Sequence, residues 1–206
     1  MKVTLDNATL TSIHSLGISA SKDDITPVIT QIALEREGDT LRAMATDRYM
    51  VLSGTYSGVE FEDWNEGDTI LVDPSALKRA IDIKKANKNG ILPIVIMKNE
   101  HGVVSAVVDE LNFVDLGSVR GTFPPVTNLF PEGEPTGAGS LNIRPDFLAK
   151  LAKVLPPVVK PERERTWRFE FRTLENLRPQ PVYAQYSDGA KYKLEALIQP
   201  ALDRSK

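Results

Sequence analysis

Basic side chains concentrate on one predicted helix of this sequence. Asp73 offers a side-chain acceptor for free N–H groups, and Pro74 needs no hydrogen bond from its own nitrogen, so the pair is a favourable helix start. The apolar spacing predicts a helix from Pro74 to about Ala86. Against one acid, Asp82, this helix and its end carry Lys78, Arg79, Lys84, Lys85 and Lys88, within a chain of net charge −3. Lysines and arginines confined to a helix face are typical of a surface that contacts DNA phosphates and does not recognise the base sequence.

A second basic helix is predicted from Pro145 to about Val154. Its apolar face consists of Phe147, Leu148, Leu151, Ala152 and Leu155, and Lys150 and Lys153 project from the other side. Lys84, in contrast, falls on the apolar side of the preceding helix, where its stem can extend along apolar surface. Solvation of an exposed helix remains an equally good explanation of these lysines at this stage.

Catalytic and metal-binding chemistry is weakly represented. The chain has no cysteine, which removes thiolate nucleophiles and thiolate metal ligands. His14 and His101 belong to no ligand spacing, and the acidic pairs Asp23-Asp24 and Glu60–Asp63 have no spaced partner. No glycine-rich phosphate-binding motif occurs. We therefore predict a protein that is not an enzyme and needs no cofactor or metal.

The composition is that of an ordinary globular protein. The 206 residues are 41% hydrophobic and 26% charged, enough for one large domain or two small ones. No signal-peptide pattern and no apolar stretch of about 20 residues occurs, so we expect no membrane span. The absence of cysteine fits a reducing compartment. The predicted location is the cytoplasm.

An internal repeat organises the chain. Three strand-to-helix junctions, at Leu5–Leu10, Val72–Leu77 and Ile143–Leu148, share the order apolar strand end, polar residue, Asn or Pro, and helix start. Strand patterns follow each junction: Val28–Glu35, Thr40–Thr46 and Tyr49–Tyr56; Ile91–Lys98, Gly102–Asp109 and Leu111–Val119; and Thr166–Arg172, Pro181–Tyr186 and Lys191–Gln199. We therefore predict an α+β fold of three repeated β-α-β-β-β units, with helices on one side and sheets on the other.

A domain boundary is predicted at residues 132–139. This stretch is rich in glycine, proline and acid and has no periodicity. Two units, residues 1–131, would precede this linker, and a third, a half-domain at residues 140–206, would follow it.

Three blocks of the sequence resemble the bacterial sliding clamp, the β subunit of the replicative DNA polymerase. Leu41–Leu52, LRAMATDRYMVL, is similar to a Thr-Asp-containing strand of that family. Val119–Pro131 is similar to the segment that ends one clamp domain, and Tyr192–Leu202 is similar to the closing strand. The blocks occur in the family's order. The resemblance implies the DNA-clamp (processivity) fold, shortened here from the usual six units to three, and suggests a bacteriophage or mobile-element source.

The resemblance implies a ring around double-stranded DNA. Helices would line the hole and bind DNA independently of sequence, and the chain would form a homo-oligomeric ring. DNA polymerase and a clamp loader are the implied partners. The residues expected at the hole are Lys78, Arg79, Lys84, Lys85, Lys88, Arg120, Lys150 and Lys153.

The family also implies a pocket that binds short partner peptides. Carried over by position, the pocket comprises Thr46, Arg48, Tyr49, Met50, Val51, Pro131, Leu197, Ile198 and Pro200. Arg48 replaces the family's glycine, and Ala201 replaces a methionine, so peptide specificity is expected to differ. For Val51, Leu197 and Ile198, packing between two domains is an equally good explanation.

Two functions follow from these patterns. The first is a sliding-clamp-like processivity factor for DNA replication that encircles duplex DNA and tethers replication proteins. The alternative is a clamp-fold adaptor that binds a polymerase, a loader or a host clamp without encircling DNA, through strand edges left exposed by the odd number of units.

Overall fold

In the part of the chain that the computed structural model describes, three α-helices pack on two antiparallel sheets. The structure describes residues 1–86, 93–117, 119–130, 143–154, 156, 166–170, 181–187 and 192–200. The helices are α1 (Asn7–Leu16), α2 (Pro74–Ala86) and α3 (Pro145–Lys153). The strands are β1 (Lys2–Leu5), β2 (Ile32–Glu37), β3 (Thr40–Thr46), β4 (Met50–Tyr56), β5 (Glu60–Glu62), β6 (Thr69–Val72), β7 (Ile94–Lys98), β8 (Val104–Val107), β9 (Phe113–Gly117), β10 (Arg168–Glu170), β11 (Val182–Ser187) and β12 (Tyr192–Ile198).

Local chemistry explains where the first two helices begin. Asp6 caps α1, because its Oδ1 accepts a hydrogen bond from the Thr9 amide at 2.6 Å. Asp73 does the same for α2, where its Oδ1 accepts from the Ala76 amide at 2.7 Å. The helix start predicted at Asp73 and Pro74 is therefore confirmed.

The element order matches the predicted repeat. The first unit contains β1, α1 and β2–β4, followed by the short β5, and the second unit contains β6, α2 and β7–β9. The third unit contains α3 and β10–β12. Its expected first strand, at residues 139–143, lies outside the described residues except for Ile143, as does the expected linker at 132–139.

The first two units exchange strands. β1 of the first unit pairs with β7 of the second, in a sheet of order β5-β1-β7-β8-β9. β6 of the second unit pairs with β2 of the first, in a sheet of order β10-β11-β12-β4-β3-β2-β6. The third unit extends that larger sheet, because β12 pairs with β4.

The main core lies between the helices and the sheets. Side chains of all three helices, including Leu16, Leu77 and Leu151, belong to one buried apolar cluster with residues of both sheets. The larger sheet is also covered on its other face by a smaller group, the outer cluster. Its members are Ala33, Met44, Val51, Leu71, Phe123, Val126, Tyr183 and Leu197.

Two differences from the predicted strands have local causes. The segment expected as a strand from Val28 begins instead as a 3-10 turn, Pro27–Thr30, and β2 starts at Ile32. Pro27 fixes its own φ angle, and the Thr30 hydroxyl donates to its carbonyl at 2.8 Å, which holds the turn. β5 was not predicted, because three residues reading Glu-Phe-Glu resemble solvated surface.

Candidate nucleic-acid interface and predicted peptide pocket

The polar face of α2 carries exposed basic residues. Lys78, Arg79 and Lys85 are exposed. The Lys78 Nζ lies 2.6 Å from the Asp82 Oδ2, one helical turn away, and this hydrogen bond and charge lower the pKa of Asp82. Part of the charge of Lys78 is thus compensated within the helix, whereas Arg79 and Lys85 form no ion pair with any residue that the structure describes.

Lys84 was expected to contact DNA, and its position in the structure contradicts that expectation. Its side chain is buried, with 4% of the residue exposed, and its Nζ lies 3.4 Å from the Val108 carbonyl oxygen. The reason is helical spacing, since Lys84 follows the buried Leu77, Ala80 and Ile81 at seven, four and three residues. A lysine on the core side of α2 does not present its charge to DNA.

On α3 the two lysines have different surroundings. Lys150 forms an ion pair with Asp47, with Nζ and Oδ2 2.6 Å apart and side chains 23% and 20% exposed. This pair joins α3 to the turn between β3 and β4. Lys153 is exposed and lines a groove with His14, Lys78 and Arg79. The three helices therefore present one continuous surface, which we call the helix face.

His14 lies within the helix face, half-buried between α1 and α2. Burial lowers the pKa of its imidazole, and the nearby charges of Lys78 and Lys85 lower it further, against an opposing effect of Asp82. At neutral pH His14 is therefore uncharged and adds no positive charge to the helix face.

One further basic residue of the expected set falls outside this surface. Arg120 is exposed, but its neighbours Val119 and Phe123 pack on the outer cluster, on the sheet face opposite the helices. Its assignment to the hole is therefore not supported by its position. Lys88 lies outside the described residues.

The Thr46–Tyr49 turn is held by its own side chains. The Thr46 hydroxyl donates to the Met50 carbonyl at 2.9 Å, and the Asp47 Oδ1 accepts from the Tyr49 and Met50 amides at 3.0 and 2.8 Å. Arg48 has a φ angle of 74°, the left-handed region that glycine adopts most easily. Its guanidinium donates to the Thr26 hydroxyl.

The predicted peptide pocket does not form one surface. Met50 and Ile198 are buried in the main core, whereas Val51 and Leu197 belong to the outer cluster, on the other sheet face. Successive strand residues point to opposite faces, and β4 pairs with β12 so that Val51 lies opposite Leu197 and Met50 opposite Ile198. Val51, Leu197 and Ile198 are buried in this structure, and their part in a peptide pocket stays a prediction.

The remaining pocket residues differ in accessibility. Thr46 and Pro200 are buried, and Tyr49 is 60% exposed beside the exposed Arg48. The Gln199 amide donates to the Tyr49 carbonyl at 2.9 Å, which fixes the end of β12 against the turn. Pro131 lies outside the described residues. Within the described part of the pocket, Arg48 and Tyr49 are the groups that a partner can reach.

Comparison with known proteins shows what this chain resembles. No protein-family model matches the chain. The curated "Beta sliding clamp" of Micrococcus luteus is 28% identical over 146 residues, which are 66% of this chain and 42% of that protein. The DNA polymerase III β subunit of Thermotoga maritima superposes with a TM-score of 0.68 at 13% identity, covering 98% of this chain and 65% of that one. The chain is similar to bacterial sliding clamps in sequence and in fold.

A second solved clamp supports the same fold. The Helicobacter pylori beta clamp, in complex with diflunisal, superposes with a TM-score of 0.70 at 11% identity and covers 98% of this chain and 66% of that one. The predicted resemblance and the α+β clamp fold are confirmed. The chain spans less than two thirds of these relatives, and the expected phage source stays a prediction.

Sequence analysis assigned no role to one residue of the Thr46–Tyr49 turn. Asp47 was part of the Thr-Asp block but received no role, whereas the structure shows it holding the turn and binding Lys150. The Thr-Asp dipeptide was the available signal, because an aspartate before a tight turn commonly accepts backbone hydrogen bonds.

Two kinds of feature are absent from the described part of the chain. No described helix is long and apolar enough to cross a membrane. In the described ranges, no group of three or more potential metal ligands is close enough together to hold an ion.

Proposed function

We propose that this chain is a sliding-clamp-like processivity factor, copies of which associate around duplex DNA and tether replication proteins. The observation that carries the proposal is the helix face, on which Arg79 and Lys85 of α2 and Lys153 of α3 are exposed. The clamp fold and the helix face together favour a non-catalytic DNA-binding role.

The charges on the helix face suit a sliding contact. A protein that slides must be attracted to phosphates without being fixed by any one of them. Lys78 and Lys150 are each paired with a carboxylate, so the attraction depends on a few flexible cations around them. Such groups contact phosphates loosely, often through water, and read no bases.

For tethered proteins we propose binding at the Arg48–Tyr49 turn. Both residues are exposed, and the turn is rigid because Thr46 and Asp47 hold its backbone. A polymerase or loader peptide with an apolar or acidic side chain could pack on the Tyr49 ring or pair with the Arg48 guanidinium.

Retention on circular DNA tests encirclement. The protein is incubated with nicked circular duplex, with or without a loader, and separated by gel filtration in high salt before and after the circle is cut. We expect retention on the circle and release after cutting, because a topological link survives salt and is lost at a free end. Equal behaviour of circular and linear DNA would contradict the proposal.

A matched pair of variants tests the helix face. The change is Lys78→Gln with Lys85→Gln, and the control is Lys2→Gln with Lys193→Gln, which removes the same charge. Lys2 and Lys193 neighbour the core residues Val3 and Leu194, so they point away from the helices. We expect weaker duplex binding, for all sequences alike, in the first variant only. Equal losses of duplex affinity in both variants would show that the helix face has no special role in DNA binding.

The adaptor alternative has one observation in its favour. Among the described strands, β9 lies at the edge of its sheet, and Phe113 on it and Leu111 beside it are exposed large apolar residues. An edge strand with apolar neighbours is a common docking surface for proteins. The adaptor is favoured if the chain binds a purified polymerase or clamp, Phe113→Ser abolishes that binding, and the chain is not retained on circular DNA.

A further inference from the structure

The groove beside His14 crosses the helix face. It is lined by His14 and Ser15 of α1, by residues of α2 from Pro74 to Asp82, and by Lys153 of α3. Its volume is about 560 Å³, many times the roughly 30 Å³ that one water occupies in the liquid. The groove therefore has room for a phosphate group together with hydration water.

The close approach of two helix ends places His14 in this groove. A Cβ on Gly17, at the end of α1, would lie 2.9 Å from the Pro74 Cβ at the start of α2, so only glycine lets the two ends meet so nearly. His14 lies about one helical turn before Gly17, and Lys78 lies about one turn after Pro74. The half-buried imidazole is thus held beside the polar face of α2.

Among the described residues, the charged groups around His14 lie on α2 and α3. They are Lys78, Arg79, Asp82 and Lys85 of α2 and Lys153 of α3. The sequence of α1 contains no other ionisable side chain. The pKa of Asp82 is lowered by its hydrogen bond with Lys78, so this carboxylate stays ionised where histidine titrates. Four cations against one carboxylate make the groove attractive to an anion.

We propose that a DNA phosphate bound in this groove causes His14 to take up a proton, so that duplex binding and protonation of His14 are coupled. This inference rests on the DNA binding in the proposed function and adds one residue to its contact surface. In the free chain, burial and the charges of Lys78 and Lys85 keep the imidazole neutral. A phosphate reverses the second effect, because its negative charge favours the imidazolium and offsets the two lysines.

Burial of His14 under DNA acts in the opposite direction. Removal of water disfavours the charged imidazole, whereas an opposite charge within about 4–6 Å favours it. The groove has room for water beside a phosphate, and water-mediated contacts leave the imidazole hydrated. The charge of the phosphate therefore decides the direction, and the complex holds the proton more tightly than the free chain does.

The coupling gives duplex affinity a defined dependence on pH. Because the complex holds the proton more tightly, affinity rises as pH falls from the higher pKa of His14 in the complex to the lower pKa in the free chain. A single proton limits this rise to about tenfold per pH unit. Outside that window His14 has no effect on the pH dependence, since both states hold the proton or both lack it.

Nuclear magnetic resonance measures the proton directly. The chain has two histidines, so His101→Gln assigns both imidazole signals, and His101 in its exposed turn serves as the internal reference. The signals are followed from about pH 8 to about pH 5, without and with an excess of a short duplex of mixed sequence. We expect the pKa of His14 to rise by about 1 or more in the complex. An unchanged or lower pKa of His14, or an equal displacement of both signals, would overturn the proposal.

A matched pair of variants tests the coupling through affinity. His14→Gln removes the titrating group, and His101→Gln removes the other histidine. Fluorescence anisotropy with a labelled duplex at constant ionic strength compares about pH 7.5 with about pH 5.5. We expect affinity to rise more toward acid pH in wild type and in His101→Gln than in His14→Gln. Equal rises in all three would overturn the proposal, and the resonance experiment on wild type decides it if His14→Gln does not fold.

These outcomes are distinct from those that test encirclement. A raised pKa of His14 in the complex, without retention on circular DNA, would leave the coupling standing and reject the proposed ring. Retention on circular DNA with no change in the titration of His14 would reject the coupling alone.

Discussion

At the scale of single residues, Asp47 connects the turn and α3. One carboxylate oxygen accepts from two backbone amides of the turn, and the other binds the Lys150 ammonium. The same residue therefore positions the exposed Arg48 and Tyr49 and holds the third unit against the first. The sequence could suggest the turn, since the Thr-Asp pair is local, but Lys150 lies 103 residues away and its pairing with Asp47 could not be predicted.

Replacing Asp47 should cost more than replacing its partner. Asp47→Ala leaves two amides without their acceptor and Lys150 without its ion pair, so we expect a loss of about 2–3 kcal/mol. Lys150→Met should cost about 1 kcal/mol or less, because the pair is partly solvated. Urea unfolding measures both, with Lys153→Met, exposed on the same helix, as the control expected near zero. If Asp47→Ala costs no more than Lys150→Met, the role assigned to the turn hydrogen bonds is wrong.

His14 should make stability depend on pH in a defined direction. Its pKa in the folded chain lies below the ordinary value of 6.5, so the unfolded chain binds a proton more readily. As pH falls below about 6.5, this favours the unfolded state, and the stability contributed by neutral His14 is lost until the folded pKa is reached. Urea unfolding at about pH 7.5 and about pH 5 should show a smaller loss in His14→Asn than in wild type. An equal or larger loss in the variant would contradict the assignment.

At the scale of elements, the helices were more predictable than the strands. The start of α2 follows from Asp73 and Pro74, and its end near Ala86 was predicted within a residue, because caps and periodicity are local. Helical spacing also placed Lys84 on the apolar side of α2. It was nevertheless included among the expected DNA contacts because of its positive charge. The strand exchange between units is non-local, and no local pattern specifies which sheet β1 or β6 joins.

Adjacent lysines on α2 provide a test of the helix register. Lys85 is exposed and Lys84 is buried, although they are neighbours in sequence and carry the same charge. Lys85→Met should weaken duplex binding and reduce the slope of log affinity against log salt by about one. Lys84→Met should leave both unchanged. Fluorescence anisotropy with a labelled duplex measures the slopes, and equal effects of the two changes would show that the register does not control DNA contact.

At the scale of the whole molecule, the larger sheet unites distant parts of the chain. β4 of the first unit and β12 of the third pair along seven residues, from Tyr56 opposite Tyr192 to Met50 opposite Ile198. The rings of Tyr186 and Tyr192 stack at 6.0 Å beside this junction. Three units and their order could be predicted from repeated junctions, but this continuity could not, because it depends on strands more than 130 residues apart.

The β4–β12 pairing predicts how a fragment behaves. Residues 1–131 alone would expose the backbone edge of β4 and uncover Leu52 and Tyr56, whose burial includes contacts with the third unit. We expect this fragment to melt at a lower temperature than the full chain and to self-associate in gel filtration. Co-expression with residues 140–206 should restore a one-to-one complex that melts near the full chain, since the same strand edge is covered again. A monomeric 1–131 fragment with the thermal midpoint of the full chain would show that β12 contributes nothing to the stability of the first two units.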